Sequence, residues 1–420
     1  MRTMPPSAYK LIAVTVTGSK RFTSEEIALA SGLPVGTVAH EEDFKKAARQ
    51  LGETGAFSDV SYSYTYSGPG TKLEFKVTDA EKFVPVNFTD FVWFTDEDLL
   101  KKVKERIPLF KGELPTNGRL LGQVSDVLQA VLVENAVPGT VEYIVHEDAK
   151  SQSINSINYR VSGISIRIRH VEFSGAAAAE LPQLQIAAEK LLDREYARDV
   201  VEAFITYGML PVYHAHGYLK ASSPLPQLKV AKSQTEEANG ATIKPTFVDL
   251  KFAVTPGIQY KVRHWEWSGN KEISTDALQP LLHVQAGQIA NTVQLEKDLH
   301  AAQELYGSRG YVTATIKAKA EFDDAAGAVA YRLAVNEGSL YHMGELEFRG
   351  IDNNLTARLR AAWRLRQGEV YDASYLKEFL PKAQKLLPPT MDWEVTPHVT
   401  ALSRDKTVDV DLQYTAKAPQ

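Results

Sequence analysis

Hydrophobic and polar residues alternate in five short segments that share one pattern and recur along the chain. The segments occupy residues 14–18, 86–90, 171–175, 265–269 and 346–350. Alternation with a period of two is typical of a half-buried β-strand. Four of the segments end in glycine and one ends in aspartate, and both residue types tolerate the positive φ of a tight exit turn. The pattern therefore predicts a repeat in which an alternating strand opens each unit.

The repeat extends upstream through a shared break in the alternation. Seven positions before the last residue of each segment stands an apolar residue: Leu11, Phe83, Ile168, Val262 and Met343. The next apolar position follows after three residues instead of two, at the same place in every unit. A shared β-bulge or a change of packing face would produce such a break.

Two helices and two further strands are predicted after each opening strand. Thr23 and Glu26 have the spacing of a capping box at the start of the first helix. Gly36, Gly287 and Gly368, with Asp193 and Gly112 as counterparts in units three and two, mark the passage to the second helix. A breaker ends that helix, as at Gly55, Gly208 and Gly310. Two strand-like runs then close the unit, at 58–66 and 71–77 in the first one.

The predicted fold class is α+β, a tandem array of five βααββ modules, each a three-stranded mixed sheet covered on one face by two helices. The modules are numbered one to five, and their predicted ranges are 9–80, 81–163, 164–257, 258–338 and 339–416. Module three carries a polar insertion at about 233–242, which is predicted to be a mobile hairpin loop.

Composition narrows the function classes. The net charge of −5 over 420 residues lacks the basic footprint of a nucleic-acid-binding protein, so no nucleic-acid partner is expected. The chain has no cysteine, which excludes disulfides, thiolate catalysis and cysteine-based zinc sites and suits an oxidising compartment such as the periplasm. No cofactor is expected, and no apolar run approaches the ~20 residues of a membrane-spanning helix.

The repeat resembles the POTRA (polypeptide-transport-associated) domain. The resemblance rests on four stretches: residues 171–175, Gly287 with the helix after it, the Gly-Tyr-Val step at 310–312, and the closing run at 329–338. It covers about 9–416, and five such units in a row resemble the periplasmic arm of BamA-type outer-membrane protein assembly factors. This implies a periplasmic location associated with the outer membrane. We expect an arm whose leader was removed and whose barrel is not included, or a stand-alone POTRA protein.

The resemblance implies a binding function. The edge of a small sheet presents unpaired N–H and C=O groups that an extended chain can complete by strand addition. The expected partners are unfolded outer-membrane protein precursors, periplasmic lipoproteins or chaperones, and an outer-membrane β-barrel in cis if the natural chain continues.

The second strand of each module is expected at the sheet edge, here at 60–66, 212–220 and 312–319. The candidate binding residues on these strands are Tyr62, Tyr64, Tyr66, Val212, His214, His216, Tyr218, Val312 and Thr315. The favoured interpretation of the tyrosine row is that its rings simply cover the helices, which is the common use of alternating aromatic residues. Two histidines at i and i+2 could hold a metal, but no third ligand stands nearby and no metal is predicted.

A dense positive patch is predicted on the first helix of module five. Its members are Arg358, Arg360, Arg364 and Arg366. In BamA-type arms the last module lies nearest the barrel and the lipid headgroups, so the resemblance implies a lipid-proximal role for this patch.

Two alternatives remain open at the level of sequence. An enzyme is disfavoured, because the chain lacks a convincing nucleophile elbow, P-loop, HExxH pair or dinucleotide fingerprint. The other alternative keeps the fold and changes the task, since POTRA arms also occur in two-partner secretion transporters and TamA-like factors, or could form a stand-alone scaffold.

Overall fold

The computed structural model describes residues 6–67, 69–148, 152–231, 245–389 and 391–417. The polar insertion predicted at 233–242 lies outside the described residues. Within them, no helix has the length and apolar character required to cross a membrane.

Modules one and two each open with a strand and close with an antiparallel pair of strands. Module one contains β1 (Leu11–Thr17), α1 (Ser24–Ala30), α2 (Glu41–Glu53), β2 (Phe57–Ser67) and β3 (Gly70–Asp79). Module two contains β4 (Phe83–Phe88), α3 (Asp96–Arg106), β5 (Glu113–Pro115), α4 (Leu120–Glu134), β6 (Thr140–Glu147) and β7 (Ile154–Ser162). The short strand β5 was not predicted and makes the second sheet four-stranded.

Module three differs in its helical part. It contains β8 (Ile166–Ser174), α5 (Leu181–Ala188), α6 (Arg198–Phe204), α7 (Leu210–Ala215), β9 (Gln227–Val230) and β10 (Thr246–Ala253). A π-helical segment, Ile205–Met209, separates α6 from α7.

Modules four and five return to the simple order. Module four contains β11 (Lys261–Ser268), α8 (Thr275–Leu278), α9 (Thr292–Ser308), β12 (Thr315–Asp323) and β13 (Ala328–Asn336). Module five contains β14 (His342–Arg349), α10 (Asn353–Ala362), α11 (Tyr375–Gln384), β15 (Asp392–Leu402) and β16 (Thr407–Lys417).

All five sheets share the pairing of three strands, to which the second sheet adds β5. In each, the opening strand pairs in parallel with the closing strand, and the closing strand pairs antiparallel with the strand before it. The closing strand is therefore central, and the strand before it lies at an edge. The predicted α+β class of small mixed sheets with helices is confirmed, whereas the exact module boundaries stay predictions.

In modules one, three, four and five the predicted break in the alternation is a β-bulge. The parallel register shifts between Leu11 and Ala13 in β1, and β8, β11 and β14 show the same shift after Ile168, Val262 and Met343. In β1, Leu11 donates its N–H to Thr37 O and accepts from the N–H of Gly36. The bulge thus pairs the start of the opening strand with the loop before the second helix.

The prediction of a strand at 212–220 is wrong. This stretch contains the greater part of α7 and the turn after it, and the edge strand is β9, at Gln227–Val230. Gly208 does not end the helical part, because it lies inside the π-helical segment and helix resumes after it. The residue that ends it is Gly217, at φ +82°.

The chain divides into two compact units. The first comprises Met1–Ser174, Gln185–Ile205 and Pro224–Ala253, and the second comprises Gly175–Leu184, Thr206–Ser223 and Val254–Gln420. In the first unit, buried side chains of modules one and two form one continuous apolar cluster. In the second unit, modules four and five each have a cluster of their own.

Backbone hydrogen bonds tie successive parts of the second unit together. Tyr341, at the entrance to module five, donates its N–H to Gly310 O at 2.9 Å, and Tyr260 donates to Gly217 O at 2.8 Å. A Cβ on Gly310 would lie 2.7 Å from Val370 Cγ1 and 3.0 Å from Tyr341 O, so only glycine permits this close approach.

Candidate functional site

The edge strand β2 of module one is the best-formed candidate binding surface. The sheet order β1-β3-β2 leaves one side of β2 without a partner strand within the described residues. The prediction that this second strand lies at the edge is confirmed. The opening strand β1, at the other edge, is partly closed by the bonds between Leu11 and the loop at Gly36 and Thr37.

The direction of the backbone groups of β3 follows from two hydrogen bonds at its ends. The N–H of Thr71 donates to Lys10 O at 2.8 Å, on the β1 side. The N–H of Ala80 donates to Ala56 O at 2.9 Å, on the β2 side. Because backbone groups alternate in direction along a strand, odd-numbered residues of β3 face β1 and even-numbered residues face β2.

The same alternation identifies the groups that β2 presents at its open edge. Ser61 and Ser63 pair with the even-numbered residues Lys76 and Glu74, so their N–H and C=O groups are used inside the sheet. The residues that alternate with them pair with odd-numbered residues of β3 and direct their backbone groups outward. These are Tyr62, Tyr64 and Tyr66. The predicted tyrosine row therefore supplies the unpaired main-chain donors and acceptors of this edge.

The tyrosine rings themselves cover the helices. The ring of Tyr64 lies 5.2 Å from that of Phe44 on α2, and its hydroxyl donates to Glu41 Oε2 at 2.8 Å. This hydrogen bond to a carboxylate raises the pKa of Tyr64 to about 12. Packing and binding do not compete here, because side chains stand perpendicular to the sheet whereas the backbone N–H and C=O groups lie in its plane.

A groove runs beside the first half of β2. It is open, has a volume of about 700 Å³, and lies between that strand and α2. Lys45, Arg49 and Glu53 line it from the helix, and Asp59 and Tyr62 line it from the strand. An extended chain seated at the edge would place alternate side chains in this groove.

Module four has a second open edge on β12, with a register that differs from the prediction. Lys261 donates its N–H to Gly327 O at 2.9 Å, so odd-numbered residues of β13 face β11 and even-numbered ones face β12. Thr315 pairs with Asn336 and therefore faces inward. The outward-facing residues, which the sequence prediction missed, are Ile316, Ala318, Ala320 and Phe322. The alternation of apolar and polar residues in β12 separates these residues from their neighbours, but only the pairing register with β13 shows which set faces outward.

Val312 is not an edge-strand residue. The predicted strand began at this position, but β12 begins at Thr315, because a turn at Ala314 and Tyr311 precedes it. Val312 is half-buried and packs against the apolar cluster of module five. Its role is therefore to join modules four and five.

The candidate residues of module three lie on or after α7 and not on a strand. Val212 and His214 belong to the helix, and Tyr218 follows it. His214 is half-buried, and this burial lowers its pKa. His216 Nδ1 lies 3.4 Å from the buried carboxylate of Glu180. Among the described residues, no group of three or more histidine or acidic side chains could hold a metal.

The predicted basic patch of module five is divided. Arg358 and Arg360 lie on α10, whereas Arg364 and Arg366 follow its end at Ala362. The helix stops there because Trp363 has an extended backbone, at ψ 126°. The prediction that all four lie on one helix is wrong.

Two of the four guanidinium groups already have protein partners. Arg360 Nη2 donates to Leu346 O at 3.0 Å, and Arg364 lies 3.4 Å from Asp372 Oδ2 and stacks over the ring of Tyr375. The carboxylate of Asp372 offsets the charge of Arg364, and the hydrogen bond of Arg360 holds its guanidinium against the protein.

Comparison with known families identifies the repeat unit. Residues 260–338 match the family model described as "POTRA: Surface antigen variable number repeat". This range holds β11 to β13 and the helices between them. Module four is therefore similar to a POTRA domain. The resemblance to POTRA domains that the repeat predicted is confirmed.

One relative carries a name from outer-membrane protein assembly. A "Putative outer membrane protein assembly factor" of Treponema pallidum (strain Nichols) is 24% identical over 168 residues. That match covers 40% of this chain, and the chain spans about a fifth, 19%, of the length of this relative.

Solved structures similar to this chain include POTRA domains of BamA. Haemophilus influenzae BamA POTRA3-5 has a TM-score of 0.42 and 22% identity, and the match covers 60% of this chain and 95% of that one. BamA POTRA4 from the same species is 29% identical over 20% of this chain and 95% of its own, with a TM-score of 0.19.

Proposed function

We propose that this chain is a periplasmic scaffold arm, associated with the outer membrane, that acts by binding and not by catalysis. Its POTRA modules bind extended segments of unfolded outer-membrane protein precursors, and of periplasmic lipoproteins or chaperones, by adding them as strands to open sheet edges. The observation that carries the proposal is the row of outward backbone groups on Tyr62, Tyr64 and Tyr66 beside an open groove.

The POTRA match and the printed name of the Treponema relative support this assignment of process. A TamA-like or secretion-type arm, or a stand-alone scaffold, would use the same edges on other clients. The edge chemistry is common to all of these tasks, and the identity of the client distinguishes them.

The energetics favour transient binding of many sequences. A strand that pairs with β2 would form about four to six main-chain hydrogen bonds, each with a net contribution of about 0.5–1.5 kcal/mol. Ordering the client and losing its translational freedom offset most of this gain. Affinities in the micromolar to millimolar range follow, which suits a surface that must release each precursor.

Amide hydrogen exchange, followed residue by residue in the full chain, tests the proposal. A short peptide with alternating aromatic and polar residues should slow exchange at Tyr62, Tyr64 and Tyr66. The amides of Ser61 and Ser63 should not change, because they are already bonded to β3.

N-methylated peptides provide a matched control. Methylation at every second residue removes the donors on one side of the bound strand and leaves those on the other side. One methylation series should abolish protection of the β2 amides, and the series shifted by one residue should preserve it. Equal binding of both series would show that main-chain pairing does not hold the client.

The lipid-proximal role of the module-five arginines stays a separate proposal. Arg358 and Arg366 are the members whose side chains carry neither a hydrogen bond nor an ion pair among the described contacts. Arg358→Glu with Arg366→Glu should weaken sedimentation with anionic liposomes at low salt. An unchanged bound fraction would remove this role.

A further inference from the structure

The five sheet edges are not equivalent, and module five shows this most directly. Lys406 O accepts a hydrogen bond from the N–H of His342 on β14, so even-numbered residues of β16 face β14. Leu412 is one of these, and its partner on β15 is Pro397. Pro397 therefore stands at an outward-facing position of the edge strand, where its missing N–H costs the sheet nothing. An incoming strand would meet a ring in place of a donor at the centre of this edge.

Module two closes its edge by another means. Tyr159 O accepts the N–H of Thr89 on the β4 side, so the odd-numbered residues of β6 face outward. The first of them, Val141, donates its N–H to Gln129 Oε1 at 2.8 Å and accepts from Ser125 Oγ at 3.3 Å. Both side chains come from α4. They occupy the groups that an added strand would need at the start of β6.

The edge of module three is short. β9 has four residues, and its outward positions are Leu228 and Val230. Leu228 lines a cavity together with Trp93 and Phe94 of module two, inside the first compact unit. The described part of this edge thus offers too few main-chain groups to hold a strand.

Within the described part of the chain, the edge of module four has no partner strand along its length, and it differs chemically from that of module one. Ala318 and Ala320 hold the positions that correspond to tyrosines in module one, on the same side of the sheet as the buried Ile316. The small side chains leave space for large apolar residues of an added strand against α9. On the opposite side, Lys317 and Lys319 are exposed and have no ion pair among the described residues.

We infer that client strands dock at modules one and four, and that Pro397 and the Gln129–Ser125 pair keep modules five and two closed. The strand that suits module four has large apolar residues on one side and acidic residues on the other, because it meets alanines on the helix side and lysines on the outer side. This inference rests on the proposed function and assigns it to particular edges.

A peptide of alternating phenylalanine and glutamate, added to the full chain, tests the assignment by amide exchange. It should slow exchange at Ile316, Ala318 and Ala320. Replacing its glutamates by lysines should weaken binding at module four about tenfold at low salt, a loss comparable to that of one or two charge contacts. The amides of Val395 and Val399, at the edge of module five, should not respond to either peptide.

Substitutions in the edge strands β15 and β12 test whether outward backbone donors decide which edge binds the peptide. Pro397→Thr restores an outward donor and should make Val395 and Val399 respond to the peptide, whereas Thr396→Val, at an inward-facing neighbour, should not. Ala318→Pro should lower the affinity of module four at least about tenfold without lowering its melting temperature. Lys317→Pro, which removes an inward donor, should destabilise the module.

The possible failures can be told apart. If the peptide protects no edge amide in any module, the proposed function fails together with this inference. If it protects the edges of modules two and five in the unaltered chain as well as those of modules one and four, strand addition stands and the assignment of open edges is overturned. A Pro397→Thr chain that gains no protection would also overturn it.

Discussion

The guanidinium of Arg198 donates from Nη1 to Asp96 Oδ2 at 2.7 Å. Arg198 is the first residue of α6 in module three, and Asp96 is the first residue of α3 in module two. The same nitrogen also donates to the backbone carbonyl of Phe88 at 2.9 Å. One mostly buried side chain thus connects two modules within the first compact unit.

A double-mutant cycle measures this connection. Arg198→Met and Asp96→Asn should show a coupling energy of about 1 kcal/mol, because the pair is partly shielded from water. Arg198→Met should cost more than Asp96→Asn, since it also leaves Phe88 O without its donor. Local opening energies from amide exchange of α3 and α6 give the values.

The exposed pair of Arg332 and Glu266 in module four serves as a comparison. Its coupling should be only a few tenths of a kcal/mol. Equal couplings for the two pairs would mean that the Arg198 contact adds nothing beyond a surface ion pair.

The hydrogen bond between Tyr64 and Glu41 should give one tyrosine an unusually late titration. The pKa of Tyr64 is raised to about 12 from 10.0, chiefly by the carboxylate that accepts its hydrogen bond. Protonated Tyr64 therefore stabilises module one fully below the ordinary value, and this contribution is lost as the pH rises through about 12. Ultraviolet titration of the unaltered chain against Tyr64→Phe isolates this group.

Glu41→Gln is the control for that titration. It keeps an acceptor near the hydroxyl and removes the charge, so the pKa of Tyr64 should return towards its ordinary value. A titration that does not change in this variant would assign the shift to burial instead.

Acidification should stabilise the surroundings of Asp90 in module two. Burial raises the pKa of this carboxyl from 3.8 to about 6, against a hydrogen bond from Thr89 that lowers it. Because the folded pKa exceeds the unfolded one, the favourable contribution is complete below 3.8 and is lost as the pH rises through about 6. Asp90→Asn should therefore flatten the pH profile and stabilise the module near neutral pH by about 1–2 kcal/mol, after allowance for partial exposure.

Exchange of the Thr89 amide, which is bonded to Tyr159 O beside this site, reports the local stability. Asp126→Asn removes an exposed carboxylate from α4 of the same module and should leave the profile as it is. If Asp90→Asn and Asp126→Asn gave the same profile, the desolvation of Asp90 would not be the cause.

Two glycines of module four should respond differently to the same substitution. A Cβ on Gly269, the exit-turn glycine, would lie 2.2 Å from Val335 O, whereas a Cβ on Gly287 would meet nothing within 4 Å. Both have positive φ, at +81° and +85°. Gly287→Ala should cost about 1–2 kcal/mol of backbone strain, and Gly269→Ala should cost more than about 3 kcal/mol because the central strand must also move. Thermal unfolding of both variants checks the order, which equal losses would contradict.

The sequence was sufficient for the features that each module repeats. The five alternating segments and the break after Leu11 and its counterparts follow from spacing, whereas the edge position of the strand before the closing one was implied by the resemblance to POTRA domains. They are local in sequence and recur, so each copy supports the interpretation of the others. The tyrosine row was also predicted as a candidate, and the structure adds the direction of its backbone groups.

Module three shows where this reasoning failed. The run Val212 to Tyr218 alternates like a strand, but Val201, Ile205, Met209 and Tyr213 are buried at intervals of four, which is a helical period. Gly208 concealed this period, because glycine usually ends a helix and here lies in a π-helical segment. The outward residues of β12, in contrast, could not be predicted, since a register shift of one residue exchanges the two sets and only the paired strand fixes it.

The contacts of Gly310 and Val312 restrict where modules can be added to such a chain or deleted from it. Both lie in module four by sequence, yet Gly310 bonds to Tyr341 and Val312 packs into the apolar cluster of module five. Deleting module five at its strand boundary would thus leave Val312 facing water, and deleting module four there would leave Tyr341 without its acceptor. A gene duplication or deletion that keeps every contact must cut within the helix-to-strand turn. The segment that can be exchanged between chains therefore runs from a glycine at the position of Gly310 in one module to the equivalent glycine in the next.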